Sequence, residues 1–274
     1  MTTMMEQGNL TVAQVTAIFG LPTNVDPTTY NPFDTAADGY NASDALAVEL
    51  ASQQIMTVVT AFAAAGEGAG ATATASFAAA MKAVIAVVKV KADAGTTIDL
   101  TNTADLESIR DNAKTEMAKE LTSEQSTAFD SLAASTTTAV KNVTTKIGLI
   151  TDTNLSSAAS KNIFTTTQAL SDQMKDAAIA EVETPGSGAA IVTFTSESTV
   201  NTAASNTAPT DINLSANSIS ELASSLVVGT VSTVDADQSE GVAHTYSIAE
   251  VAGSDHAAFE INSATGELSL IAQP

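Results

Sequence analysis

ETPGSGAAIVTFT, residues 183–195, is where the pattern of the chain changes. Pro185, Gly186 and Gly188 fall within six residues, and such a cluster interrupts regular structure. Before it, apolar residues recur at steps of three and four, the period of a helix face. After it, apolar and polar residues alternate, the period of a half-buried strand. Ile191 to Thr195 is the first alternating stretch and reads as a strand. The sequence therefore predicts a helical domain over 1–182, a linker with one extended strand over 183–208, and a β-domain over 209–274.

The helical side can be read element by element. Leu10 to Phe19 is a short helix ended by Gly20 and Pro22, followed by a loop through Pro27 and Pro32. Ser43 caps a helix to about Ala65, with Leu46, Leu50, Ile55, Val59 and Phe62 on one face and Gly66, Gly68 and Gly70 as its stop. The next carries Phe77, Met81, Val84, Ile85 and Val88 and ends at Gly95. Further helices are predicted from Thr103 (Leu106, Ile109, Ala113, Met117), from Ser123 to Ile147 (Phe129, Leu132, Val140, Val143) and from Ser156 to Val182 (Ile163, Leu170, Met174). Their short connections predict an antiparallel helical bundle. The threonine-rich run Ser135 to Thr145 works against its own helix, because β-branched side chains lose rotamer freedom there. Apolar residues are 44% of the chain but aromatics only 4%, so the core should be thin, with small residues at close helix contacts.

Charge follows the same division. The net charge is −21, and all ten basic residues lie between Lys82 and Lys175, where 11 acids nearly balance them. After Lys175 there are 13 acids and no Lys or Arg. Nucleic acid is excluded as a partner, since a phosphate backbone calls for clustered Lys and Arg. Divalent cations are the natural partners of such a chain. No signal peptide is legible in Met1 to Leu10. The most apolar run, Phe77 to Val90, is interrupted by Lys82 and is too short to span a bilayer, so membrane insertion is not expected.

Beyond the linker, Ile212 to Leu214, Val227 to Val231, His244 to Ile248, Phe259 to Ile261 and Leu268 to Ile271 read as strands, with turns at Gly229, Asp237 to Gly241, Gly253 and Thr265-Gly266 separating some of them. Short alternating strands with turns between them predict a β-sandwich. The pieces also come in a recognisable order. They are Ala208-Pro209-Thr210-Asp211-Ile212, then Ser220-Glu221, then VVGTVSTVDAD over 227–237, then Thr245 to Ile248, then Phe259-Glu260-Ile261, then Ala264-Thr265-Gly266-Glu267-Leu268. In that order, Ala208 to Leu270 resembles the cadherin-like repeats of bacterial adhesins and other large surface proteins. The fold class expected is thus α plus β in separate domains: a helical bundle followed by a partial cadherin-like (Ig-like) β-sandwich. It is partial because Pro209 to Pro274 supplies 66 residues, where a sandwich of this type takes about 100.

The resemblance implies calcium. In the family, the Asp-x-Asp pair, here Asp235 and Asp237, binds calcium beside the interdomain linker, and the early strand glutamate, here Glu221, serves the opposite end. The chemistry fits. Calcium takes six to eight oxygens, mostly carboxylate and carbonyl, and two aspartates spaced two apart in a loop can face one ion. The linker itself offers Asn206, and Asp211 lies just beyond it.

Other signals carry less. Absent cysteine rules out disulfides and thiolate metal sites. His244 alternates with Tyr246 and Ile248 as a packed strand residue, and His256 lies in a loop. Two histidines make neither a zinc site nor a hydrolytic triad. GEGAG at 66–70 lacks the Lys-Ser/Thr of a phosphate loop. DTAADGYNASD at 34–44 does not follow the EF-hand order. No enzyme is expected. The expectation is a secreted, extracellular surface or adhesin fragment acting in cell adhesion or matrix attachment. Its partners would be calcium ions and other domains of the same protein or neighbouring copies. The alternative is a filament or surface-layer subunit, a homo-oligomer or polymer built by strand exchange.

Overall fold

The computed structural model describes residues 1–155, 157–205, 211–220, 225–234, 245–249 and 253–272. Its contacts divide into two compact units, Met1–Ser205 and Asn206–Pro274. The first is helical. The second contains a four-stranded antiparallel sheet.

Eight α-helices occur among the described residues: α1 (Thr2–Gly8), α2 (Val12–Ile18), α3 (Ala42–Ala69), α4 (Ala73–Ala94), α5 (Thr103–Met117), α6 (Ser123–Gly148), α7 (Ala158–Glu183) and α8 (Glu197–Ser205). Most start at a side-chain cap. Thr11 and Gln14 form a reciprocal capping box, as do Thr122 and Gln125. Asn41, not Ser43, caps α3, its Oδ1 accepting from the backbone N–H groups of Ser43 and Asp44 at 2.9 and 3.1 Å. Such caps satisfy donors that the first helical turn leaves without partners.

The expected stop at Gly66 moves four residues. α3 continues through Gly66 and Gly68 to Ala69, and only Gly70, with φ 120°, ends it. The two internal glycines are there for packing. A Cβ on Gly68 would overlap the carbonyl oxygen of Lys175, and one on Gly66 would press on Met117. Glycine allows α7 and α5 to approach α3 closely, and this offsets its poor helix propensity.

Phe62, Leu106, Ile109, Met117, Phe129, Leu132, Ile147, Leu170 and Met174 are buried in one continuous core, interleaved with Ala61, Ala65, Ala83, Ala113, Ala139 and Ala177. α3 packs on α4, α6 and α7, and α4 packs on α5. α3 and α4 are long and apolar enough to cross a membrane, and 44% of the most apolar window in each is buried in the fold. The threonine run is helical after all. Thr136, Thr137 and Thr144 are buried because each hydroxyl donates to the carbonyl four residues back, at 2.7 to 3.0 Å. The Thr144 hydroxyl also lies 2.6 Å from the carbonyl of Leu100.

Ile191 to Thr195, expected as a strand, is not one. It forms a 3₁₀ turn over Thr193–Thr195 that leads into α8, and it belongs to the helical unit. Its alternation is real, because Val192 and Phe194 are buried among the core residues. The backbone finds side chains where a strand would find a neighbour. Gln173 Oε1 accepts from Thr193 N–H (3.0 Å) and Phe194 N–H (3.3 Å). Asn142 Nδ2 donates to the carbonyls of Phe194 and Thr195, both at 3.0 Å.

In the second unit the strands are β1 (Asp211–Leu214), β2 (Val227–Val234), β3 (Phe259–Ile261) and β4 (Glu267–Leu270), in the order β1-β2-β4-β3. Gly229, expected as a turn, lies within β2, where a bulge between Val227 and Gly229 interrupts the register. β3 and β4 form a hairpin whose turn follows its sequence. Asn262 Oδ1 accepts from the N–H groups of Ala264 and Thr265 at 3.0 Å each, and Gly266 takes φ 71°. Of the strand expected over His244 to Ile248, the described residues Thr245 to Ile248 pair with no other strand. Tyr246 instead donates its N–H to the carbonyl of Ser263 (2.9 Å), and its hydroxyl lies 2.9 Å from Thr233 Oγ1.

Candidate functional site

Of the residues expected to hold calcium, Asn206, Glu221, Asp235 and Asp237 lie outside the described residues. Asp211 is placed at the start of β1, exposed, its Oδ1 accepting from the Ile212 N–H at 2.8 Å. β2 ends at Val234, so the Asp235-Ala236-Asp237 segment follows directly on a strand end. No group of three or more His, Asp or Glu that could hold a metal gathers among the described residues. His244 also lies outside them. His256 is half-buried, its Nδ1 3.0 Å from Ser254 Oγ.

What the second unit does place is a sheet with two chemically different faces. Residues directly opposite across an antiparallel pair share a face. Ile212 faces Thr233 and Leu214 faces Val231; Leu268 faces Gly229 and Ile261; Leu270 faces Phe259. Most apolar residues of the four strands therefore lie on one side, whereas Val227 and Val234, opposite Ser269 and Asp211 at the two ends of β2, are exposed on the other. The other side carries Asp211, Asn213, Thr230, Ser232, Glu260, Glu267 and Ser269. A sheet of this kind buries its apolar side against a second layer. Here Ile212 is 65% exposed and Leu214 39%, and no apolar side chain described in this unit is fully buried. Tyr246 and Ile248 are half-buried while their neighbours are exposed. Tyr246 lies over the β2–β4 part of the apolar face, where it would touch a Cβ on Gly266. The β1 side stays open.

Among the described residues, the helical unit has several cavities, two of which exceed about 250 Å³. One, about 280 Å³, lies between α2 and the end of α4 and is lined mainly by Ala13, Ala17, Ile18 and Ala92, with Lys91 at its wall. The Lys91 ammonium is 2.6 Å from Asp105 Oδ1. The other, about 350 Å³, lies between the start of α6 and the end of α7, lined by Thr122, Gln125, Glu181 and Pro185 among others. Glu181 is almost fully buried, and its two oxygens accept from Gly186 N–H (2.8 Å) and Gly188 N–H (2.9 Å). Those backbone donors, Gly186 first, hold its carboxyl below the usual range against the desolvation that would raise it. This carboxylate is a clamp on the turn after α7. Neither cavity gathers a nucleophile with a base and an orienting group among the described residues.

No protein-family model, no curated protein and no solved structure matches this chain. The sequence pattern signalled the strands and the Thr265-Gly266 turn. It gave no sign of Asn142, Gln173 or Glu181 as clamps, since an amide or carboxylate on a helix carries no mark of the loop it will meet.

Proposed function

We propose that this chain is a non-enzymatic part of an exported bacterial surface protein acting in adhesion or matrix attachment. The helical unit is a spacer, and the second unit is one leaf of a calcium-stiffened, cadherin-like sandwich. The observation that carries this reading is the strand order. An immunoglobulin-type sandwich has one sheet in the order A, B, E, D, with strand C crossing to the other sheet between B and D. Among the described residues, β1, β2, β4 and β3 follow that order, and Thr245 to Ala249 leaves the sheet between β2 and β3. The amphipathic faces and the position of Asp235 and Asp237 just past β2 support the same reading.

Calcium would act here by cross-linking carboxylates that otherwise repel. The measurement is calorimetric titration of calcium into the chain, with thermal melts with and without EDTA, on wild type and on Asp235→Ala/Asp237→Ala. Binding that raises one transition in the wild type alone is the expected result. A chain indifferent to calcium would remove the ion from the proposal.

The second reading, a filament or surface-layer subunit built by strand exchange, is favoured by the open side of the sheet at Ile212 and Leu214. It predicts concentration-dependent polymers in sedimentation, where the first predicts a monomer.

A further inference from the structure

We infer that the open edge of β1 is a docking site for an extended strand of another polypeptide in which apolar and basic residues alternate. The inference rests on the sheet, and because Asp211 is also among the residues expected to hold calcium, its test is run in EDTA so that the two readings fail separately.

The backbone pattern comes first. Ser215 N–H donates to the Thr230 carbonyl at 3.0 Å, continuing the β1–β2 register. Bonded and non-bonded pairs alternate in an antiparallel ladder. Asn213 and Asp211 therefore bond toward β2, and Ile212 and Leu214 send their N–H and C=O groups to the other side. β1 is the last strand of the sheet on that side among the described residues. All four of its residues are exposed. An edge of this kind is a template for a further strand.

The side chains then specify the occupant. A strand added at β1 sets every second residue on the apolar face, next to Ile212 and Leu214, where it covers side chains that are 65% and 39% exposed. Its intervening residues fall on the polar face, next to Asp211 and Asn213. Opposite charges directly across a strand pair stabilise it, and like charges destabilise it. A basic residue beside Asp211 also draws its carboxylate away from the Ile212 N–H that it now covers, freeing that donor for the new strand.

Charge also argues against a second copy of this unit. Residues 206–274 contain nine acids and no Lys or Arg, so two such units meet with like charge only. The occupant needs cations that this unit does not have.

The test uses the full chain and labelled peptides read by fluorescence anisotropy. One peptide alternates Val and Lys, one alternates Val and Glu, and a third has the Val/Lys composition in two blocks. The alternating Lys peptide is expected to bind about tenfold tighter than the Glu peptide, and Asp211→Lys to reverse that preference. Ile212→Asp, at a side chain too exposed to matter for folding, is expected to abolish binding of either. Equal binding of the block peptide, or affinities unmoved by Asp211→Lys and Ile212→Asp, would mean general attraction to an acidic chain and would overturn the inference. So would self-association of the wild type that Ile212→Asp removes, since the occupant would then be a second copy.

Discussion

Glu181 illustrates what one residue does in a chain with few strong local signals. Its carboxylate serves two glycine N–H groups, that of exposed Gly186 and that of Gly188, which is buried and would otherwise lack this acceptor. A hydrogen bond to a charged group contributes roughly 1.5–3 kcal/mol, and an orphaned buried donor costs a similar amount. Glu181→Ala should therefore lower stability by about 2–3 kcal/mol in denaturant melts. The folded carboxyl lies below its ordinary value of 4.5, so its contribution is present above that pH and is lost as pH falls through the folded value. Acid titration of stability should accordingly be shallower below about pH 4.5 in Glu181→Gln than in wild type. An unchanged acid limb would show that the clamp does not couple to folding. At this scale little was legible in advance. The partners of Glu181 lie five and seven residues on, across a turn whose geometry the sequence does not state. The Asn142 clamp reaches 52 residues.

At the scale of elements, α2 to α7 were readable because caps and glycine stops are local chemistry, whereas α1 and α8 were not anticipated. The errors have a common cause: tertiary contacts that override a local rule. Gly66 and Gly68 read as a stop, yet they continue α3 because α5 and α7 come close there. Gly68→Ala improves helix propensity by about 1 kcal/mol. It also drives a methyl into the Lys175 carbonyl, an overpacking cost of roughly 1–3 kcal/mol. The expected outcome is net destabilisation in thermal melts, and a stabilised variant would mean that α7 yields without cost. Residues 191–195 alternate as a strand does, but the alternation is spent on the α6–α7 surface. Asn142→Ala and Gln173→Ala should each cost about 1–3 kcal/mol. Each should also raise amide exchange at Thr193 to Thr195 before the rest of the helical unit exchanges. Uniform exchange across the unit would deny the side-chain clamps that role. In the sheet, β3 was legible to the residue because Phe-Glu-Ile alternates and a Thr-Gly turn follows. Thr245 to Ala249 alternates equally well, but alternation cannot say which layer a strand joins.

For the whole molecule, composition was the most informative signal. The loss of Lys and Arg after Lys175 announced a second architecture, although the division between units falls later, at Ser205 and Asn206. The helical unit carries 22 acids against ten bases in 205 residues; the second carries nine acids and no bases in 69. Like charges at the surface repel over about 10 Å at 0.1 M salt and about 3 Å at 1 M. A unit with one sign of charge therefore gains stability as salt screens it, while a unit with both signs loses attractive pairs as it loses repulsive ones. The helical unit has such pairs, Lys175 with Glu67 and Lys91 with Asp105 among them. Adding sodium chloride should thus raise the melting transition that belongs to residues 206–274 and leave that of the helical unit nearly still. The two can be followed separately in a Tyr30→Phe/Tyr40→Phe background, where Tyr246 is the remaining tyrosine, by its near-ultraviolet signal against the far-ultraviolet helix signal. Calcium at millimolar concentration should exceed the effect of sodium at matched ionic strength only if carboxylates share an ion. Equal shifts at matched ionic strength would reduce calcium to a screening salt, and the sheet would then owe its stability to whatever covers its apolar face.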